Sequence, residues 1–240
     1  FRLMSLSTNA LMSRVSLADR AEHSLDLQYY IFKNDATGRL VALHLLKAAD
    51  RGVRVRILLD DLNLADEIRM FNALDSNPNI EVKLFNPFLT RNPSVISKSA
   101  QFLLQWRRLN RRMHNKSFIV DNIIAVIGGR NIGDEYFDAS GDHNFRDLDV
   151  LAIGPVVPDA EKTFDAYWNS DAAHAVTEYR SKKDPGVALD ARRPELDKDA
   201  RTLAQSACAH AALDDRHHGS SPARPAHLHL GRSPLVGARP

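Results

Sequence analysis

One short stretch of this sequence carries side chains whose types and spacing suit chemistry on a phosphate. In Met113-His-Asn-Lys-Ser-Phe-Ile-Val-Asp121, His114 and Lys116 stand two apart. On an extended strand, residues two apart project to the same face. Phe118 and Val120 continue that face, while Ile119 takes the other. The apolar run 123–127 then leads to Gly128-Gly-Arg-Asn131. Lys116 supplies positive charge, and the Asn131 amide and the N–H groups of Gly128 and Gly129 supply donors. An imidazole can attack phosphorus or transfer a proton. Singly, each of these residues is an ordinary structural one, and only the set points to a reaction.

Such a set needs elements to hold it, and the apolar periodicity supplies them. Leu6, Leu11, Met12, Val15, Leu17 and Ala21 have helical spacing and predict a helix over 5–22. Leu25, Leu27, Tyr29 and Ile31 alternate and predict a strand over 24–32. Asp35 opens a helix through Leu40, Leu45, Leu46 and Ala49, which Gly52 closes. A strand over 53–59, a helix over 64–75 and a strand over 80–85 follow. The runs 114–120 and 123–127 form two strands around an Asp121-Asn122 turn, and 148–153 forms another. A last helix covers 158–168. Alternation of this kind predicts an α/β fold, a mixed β-sheet sandwiched by helices.

Composition then marks a seam. All 17 aromatic residues (10 Phe, 2 Trp, 5 Tyr) lie at or before Tyr179. Beyond 180 there are 11 Ala, 7 Arg, 6 Pro and 5 His with no Ile or Met, too little apolar surface to offset ordering. The reading is a folded domain over 5–178, with its motif region at 109–136, followed by a low-complexity tail over 179–240. That tail is expected to be disordered, as a basic extension or an out-of-frame reading of a GC-rich gene. A net charge of +2 gives the chain no global field for nucleic acid. The single cysteine, Cys208, excludes an internal disulfide framework and suits a reducing compartment. No apolar run reaches the length of a membrane-spanning helix. Phe1 in place of Met leaves the true start in question.

Charge is also distributed unevenly inside the domain. Between Val82 and Val120 there is no acidic residue but eight basic ones. Arg107, Arg108, Arg111 and Arg112 form the densest group, beside Phe102, Leu103, Leu104 and Trp106. The bland reading is a solvated helix face. The sharper one is an anion-binding surface, suited to a lipid interface or to stacked bases.

The spacing H-x-K-x4-D-x6-G-G-x-N resembles the signature of the phospholipase D superfamily. Ala21-Glu-His-Ser-Leu-Asp-Leu-Gln-Tyr-Tyr-Ile31, Arg54-Val-Arg-Ile-Leu-Leu-Asp-Asp61, Gly129-Arg-Asn-Ile-Gly-Asp-Glu-Tyr-Phe137 and Phe145-Arg-Asp-Leu-Asp-Val150 extend the likeness. Over residues 5–170 it is similar to the amino-terminal half of bacterial cardiolipin synthases of that type. The resemblance implies a phosphatidyltransferase or phosphodiesterase working through a phosphohistidine, with no metal and no cofactor. His114 is then the nucleophile or its partner acid, and Lys116 and Asn131 hold phosphate oxygens. Asp121 supports the fold. Asp147, or Asp149 as the second choice, orients the imidazole. Gly129 departs from the family's commoner serine, a lost hydroxyl that backbone amides or Arg130 would replace. The implied substrate is an anionic phospholipid such as phosphatidylglycerol, met at the cytoplasmic face of the bacterial inner membrane by peripheral contact.

The family's site uses two such motifs, and no second His-x-Lys occurs here. The readings are the first half of a transferase, a homodimer that completes its site with a second copy, or an inactive module. A dimeric phosphodiesterase acting on nucleic acid is the alternative substrate class.

Overall fold

A computed structural model describes residues 1–61, 67–87 and 112–179, with Arg193, Pro194, Leu196, Lys198 and Thr202 beyond them. Strand β1 (Arg2–Met4) precedes helix α1 (Ser7–Arg20), then β2 (Ser24–Tyr29), α2 (Ala36–Asp50) and β3 (Arg54–Asp60). Next come α3 (Ile68–Leu74), β4 (Ile80–Phe85), β5 (Ser117–Val120), β6 (Ile124–Gly128) and a 3-10 turn (Asp134–Tyr136). Strand β7 (Asp149–Ile153), helix α4 (Val156–Trp168), β8 (Ala173–Ala175) and a second 3-10 turn (Val176–Tyr179) complete the order. The eight strands of the described residues join one mixed sheet in the order β1-β7-β6-β5-β2-β3-β4-β8. The neighbours β2-β3 and β3-β4 are parallel, and the other pairs are antiparallel.

Local chemistry sets the element ends. Asp35 caps α2 by accepting the Gly38 N–H at 2.9 Å. Gly52, at φ 94°, closes that helix in a conformation that other residues adopt only at a cost. The β5–β6 turn places Asp121 and Asn122 at φ 51° and 52°, a left-handed pair that Asp and Asn tolerate. Strands β1 and β8 were not foreseen, since three residues carry no readable period. The helix expected from 158 begins two residues earlier, at Val156.

Helices α1–α3 cover one sheet face. Leu25, Leu27, Tyr29, Val55, Ile57 and Leu59 pack there with Leu11, Leu45, Leu46 and Phe71. On the other face, Leu58, Met113, Ile119 and Ala125 pack with Val157, Phe164 and Trp168 of α4. The polar alternates Asp26 of β2 and Arg56 of β3 are buried under α4, while Arg54 stays exposed. Arg56 meets Asp26, Glu161 (2.8 Å) and Asp165 (2.8 Å), and its guanidinium lies 4.8 Å from the Phe164 ring centroid.

Within the compositional tail, Leu196 packs into the α1–α3 core and Arg193 pairs with Asp50 at 2.7 Å. Tyr179 ends the second 3-10 turn and packs on that core, and Thr202 donates to Lys198 O at 3.1 Å; apart from these and Pro194, the 179–240 expectation lies outside the described residues. Among the described residues, no helix is long and apolar enough to cross a membrane.

Candidate functional site

His114 sits three residues before β5, a strand hydrogen-bonded between β2 and β6. The chain leading to it is pinned by the buried Asp60 at the end of β3. One carboxylate oxygen of Asp60 accepts the Met113 N–H at 2.9 Å, and the other faces Arg112 at 3.2 Å. The His114 imidazole is exposed, whereas Lys116 is only 5% exposed. As the spacing predicted, the two side chains meet. Lys116 Nζ lies 2.9 Å from His114 Nδ1 and donates to the His114 carbonyl at 2.7 Å. The Tyr30 ring lies against both, 4.8 Å from the imidazole centroid and 5.4 Å from the ammonium.

Burial lowers the Lys116 pKa to about 8, and the nearby Asp147 charge offsets only part of that. No carboxylate forms an ion pair with Lys116 among the described residues. A buried ammonium facing an imidazole and a carbonyl, and reached by an open imidazole, is suited to receive an anion.

The surrounding segments are tied together by their backbones. Asn131 Oδ1 accepts the Ile31 N–H at 3.0 Å, and the Asn131 side chain also bonds the Tyr136 hydroxyl. Ile132 N–H donates to Ile31 O (3.1 Å), and Lys33 N–H donates to Ile132 O (2.9 Å). These bonds zip the segment after β6 to the end of β2, which places Tyr30 beside His114. Asp121 accepts three backbone N–H groups, from Glu22 (3.0 Å), His23 (2.7 Å) and Ser24 (2.8 Å). Partial burial pushes the Asp121 carboxyl up, but these donors outweigh it and hold it below its ordinary range. It braces the β5–β6 turn against the start of β2, at the far end of β5 from His114.

Several sequence expectations are corrected here. The Gly128 and Gly129 amides do not open toward a ligand, because they donate to Lys116 O (3.2 Å) and Leu148 O (3.0 Å). The glycines instead make room for carboxylates. A Cβ on Gly128 would lie 2.0 Å from Asp149 Oδ1, and one on Gly129 would lie 2.6 Å from Asp147 Oδ1. Asp149 does not orient His114. It is fully buried against Arg14 (3.0 Å) and Arg130 (3.4 Å). Arg130 does not replace a lost hydroxyl, since its guanidinium donates to Met4 O (3.0 Å) and Ser5 O (2.7 Å). Asp147 stands half-buried near Lys116 and acts on it by charge, while Lys116 itself meets His114 Nδ1. Arg112 is committed to Asp60 rather than to an open basic surface. Arg107, Arg108 and Arg111 lie outside the described residues.

The sequence reading missed Tyr30 and Asp60 as site residues. Both stand within stretches that carried the family likeness, and their placement at the ends of adjacent parallel strands was the available signal. In α/β sheets, sites gather at carboxyl ends of parallel strands.

A family model described as "Cardiolipin synthase, PLD-like domain" matches residues 15–168. Cardiolipin synthase C of Escherichia coli (strain K12) is 52% identical over 162 residues, 68% of this chain and 33% of that protein. An uncharacterized protein of Helicobacter pylori (strain ATCC 700392 / 26695) is 45% identical over 175 residues, 73% of this chain and 34% of that protein. The chain thus spans about a third of the length of these curated relatives. Among solved structures, NucT from Helicobacter pylori superposes with TM-score 0.54 at 20% identity, covering 72% of this chain and 97% of that one. Phosphatidylserine synthase from Haemophilus influenzae Rd KW20 gives 0.56 at 15% identity, covering 85% and 43%. At these identities the structural likeness is one of fold.

Proposed function

The chain belongs to the cardiolipin synthase, phospholipase D-like domain family, and from that premise we propose that it carries one catalytic half of a phosphodiester-transfer site acting on phospholipid. The carrying observation is the exposed His114 imidazole 2.9 Å from a buried Lys116 ammonium that forms no ion pair among the described residues. In the proposed reaction an imidazole nitrogen lone pair attacks phosphorus. A P–N bond forms, the P–O bond to the leaving alcohol breaks, and that oxygen takes a proton from a second acid. A hydroxyl oxygen of the acceptor then attacks, the P–N bond breaks, and the acceptor's proton passes to a base. The result exchanges one alcohol for another, or for water. Lys116 neutralises the oxygens that become more negative in the transition state.

One imidazole cannot serve as nucleophile and leaving-group acid in the same step, because those roles need opposite protonation on opposite sides of phosphorus. The second acid is therefore supplied from outside this stretch, by further chain or by His114 of a second copy across a two-fold axis. The substrate proposed is an anionic phospholipid such as phosphatidylglycerol. Arg107, Arg108 and Arg111 are proposed to meet its membrane peripherally, at the cytoplasmic face of the inner membrane, each contributing roughly 1 kcal/mol near an anionic surface.

A second reading is a phosphodiesterase that works as a stand-alone unit and acts on nucleic acid; one observation bears on the stand-alone part of it. The fold matched here covers 97% of the NucT chain, so a single unit of this kind makes up nearly all of one solved chain.

The test is hydrolysis and transfer with radiolabelled phosphatidylglycerol, alongside single-stranded DNA. His114→Ala and Lys116→Ala are each expected to abolish turnover, with an acid-labile labelled histidine trapped in the parent protein. Turnover that survives His114→Ala sinks the proposal. Cleavage of DNA but not lipid transfers the site to the second reading.

A further inference from the structure

We infer that the groove between β1 and α1 docks an anionic phospholipid of a bilayer surface. Arg2 and Arg20 meet the headgroup, and the apolar floor takes part of an acyl chain. The inference rests on the phospholipid reading of the site, and it adds a lipid contact separate from the His114–Lys116 pair.

Sequence periodicity builds the groove. Helix α1 carries two stripes at helical spacing. Ser7, Ala10, Leu11, Arg14, Val15 and Ala18 form its buried side. Asn9, Met12, Ser13, Ser16, Leu17 and Arg20 form the next stripe, and all six line the groove. Ser13 and Ser16 are too small to fill the space facing β1. A trough of about 440 Å³ stays open, within the roughly 300–1,000 Å³ of ligand sites. On β1, Arg2 stands two residues before the buried Met4 and so shares its side of the sheet. Its register partner Leu151 supplies part of the wall.

Two features suit this groove to an anionic amphiphile. Its apolar lining is uncovered, with Leu6 50% and Met12 40% exposed, and apolar surface rimmed by polar groups marks an interaction site. Its charge is also of one sign. No carboxylate lines it, and neither Arg2 nor Arg20 forms an ion pair among the described residues. Asp19, beside Arg20 in sequence, is turned to His44 of α2. Arg14, on the neighbouring stripe, differs in having Asp149 at 3.0 Å. A phosphodiester headgroup with its acyl chain supplies what both the guanidinium groups and the floor lack, and the serine hydroxyls can donate to its oxygens.

The groove is mounted on the chain of the site itself. Arg130, between Gly129 and Asn131, donates to Met4 O (3.0 Å) and Ser5 O (2.7 Å) and so holds the corner from β1 into α1. Lipid bound here keeps the domain on the surface that supplies its substrate.

The test is ¹³C-methyl NMR of the full chain labelled at its four methionines. Met12 lies in the groove, whereas Met70 and Met113 are buried in the two cores and serve as internal references. The probe is a bicelle of phosphatidylcholine and phosphatidylglycerol doped with lipid that carries a nitroxide on its acyl chain. Met12 is expected to lose several-fold more intensity than Met70 and Met113. In the lipid-free chain, a neutral soluble gadolinium chelate should broaden Met12 first. Arg2→Gln combined with Arg20→Gln alters only exposed side chains. It should weaken bicelle binding about 25-fold, from roughly 1 kcal/mol per arginine near an anionic surface.

Binding that broadens Met12 no more than Met70 and Met113 overturns the groove and leaves the phospholipid reading standing. Equal broadening of Met12 by bicelles of phosphatidylcholine alone, or undiminished binding by the arginine variant, overturns the role of the two arginines. A chelate that fails to reach Met12 shows the groove filled by protein, from this chain or a second copy, and overturns the lipid site. A chain that neither binds phosphatidylglycerol bicelles nor turns that lipid over loses the phospholipid reading as well.

Discussion

Arg14 and Lys116 are both buried cations, yet their surroundings differ in kind. Arg14 is 1% exposed and lies 3.0 Å from Asp149, with the Tyr29 hydroxyl (3.0 Å) and Ala10 carbonyl (2.9 Å) taking further N–H groups. Despite full burial, its pKa stands above the ordinary value, because Tyr29 and Asp149 outweigh desolvation. Lys116 has a carbonyl, an imidazole and an aromatic ring, and its pKa falls. A cation whose desolvation is compensated inside the protein is structural. One left with an uncompensated cost is poised to gain a partner from outside.

Replacing each cation by an apolar side chain of similar length breaks this comparison most sharply. Arg14→Met strands the Asp149 carboxylate with only Arg130 and is expected to lose about 3–5 kcal/mol of unfolding free energy. Lys116→Met removes a charge that the fold does not compensate, so stability should change by less than about 1 kcal/mol while turnover disappears. Urea denaturation of the two variants measures the difference. Equal losses would show that Lys116 is as structural as Arg14.

The two aspartates beside Gly128 and Gly129 extend the contrast. A Cβ on Gly128 meets fixed backbone, 2.5 Å from Leu148 O and 2.6 Å from Asp149 Cα, as well as the ion-paired Asp149 carboxylate. Gly128→Ala should cost about 1–3 kcal/mol, the range for overpacking. On Gly129 the three atoms nearest to the added one all belong to the Asp147 side chain, which can rotate away. Gly129→Ala should cost less stability but move Asp147 from Lys116, lowering the lysine midpoint further below its ordinary value. An unchanged lysine titration with equal loss of stability in both variants would undo the distinction between a structural and a site carboxylate.

How much of this was legible follows the range of each interaction. The His114–Lys116 contact spans two residues, and the Asp35 cap and Gly52 closure are likewise set within a turn, so spacing revealed them. Tyr30 reaches His114 across 84 positions of sequence, and Asp149 finds Arg14 through the register of β6 and β7. Nothing local distinguishes Asp149 from Asp147, which is why one was weighed against the other for the same role. The glycines were misread for a related reason. A missing side chain announces a close approach but does not say whether a ligand or a neighbouring carboxylate makes it. The sandwich of helices around the sheet was expected, but not that α4 would bring Glu161 and Asp165 onto Arg56, more than a hundred positions away in sequence.

The uncompensated ammonium also makes a pH prediction. Below about 8 Lys116 is protonated and can hold an anion, and above it the free site loses its charge. The affinity for dimethyl phosphate should be flat up to that point and then fall about tenfold per pH unit, until another group limits it. Titration calorimetry across the range measures the break. In Lys116→Arg it should vanish, because guanidinium stays charged. Affinity that falls in parallel for both proteins would place the titrating group elsewhere.

Arg56 completes the comparison, as a cation with more carboxylates than it can compensate. Asp26, Glu161 and Asp165 all meet it, and the surplus negative charge is relieved when Glu161 holds a proton. Burial, first, and then Asp26 raise the Glu161 pKa to about 7 from an ordinary 4.5, against the pull of Arg56. The folded chain therefore binds a proton that the unfolded chain releases once pH exceeds 4.5. Between 4.5 and 7 the folded state holds more protons, so stability falls as pH rises. The contribution is fully present below 4.5 and is lost through about 7. Asp121, held below its ordinary 3.8, acts in the opposite sense, its stabilisation disappearing only as pH drops beneath this window. Glu161→Gln keeps the neutral shape at every pH, so the difference in unfolding free energy between the parent chain and the variant isolates this one proton. That difference should drift steadily in favour of the variant from pH 4.5 to 7 and then level off. A difference that stays constant across the window would mean that Arg56 carries all three carboxylates ionised.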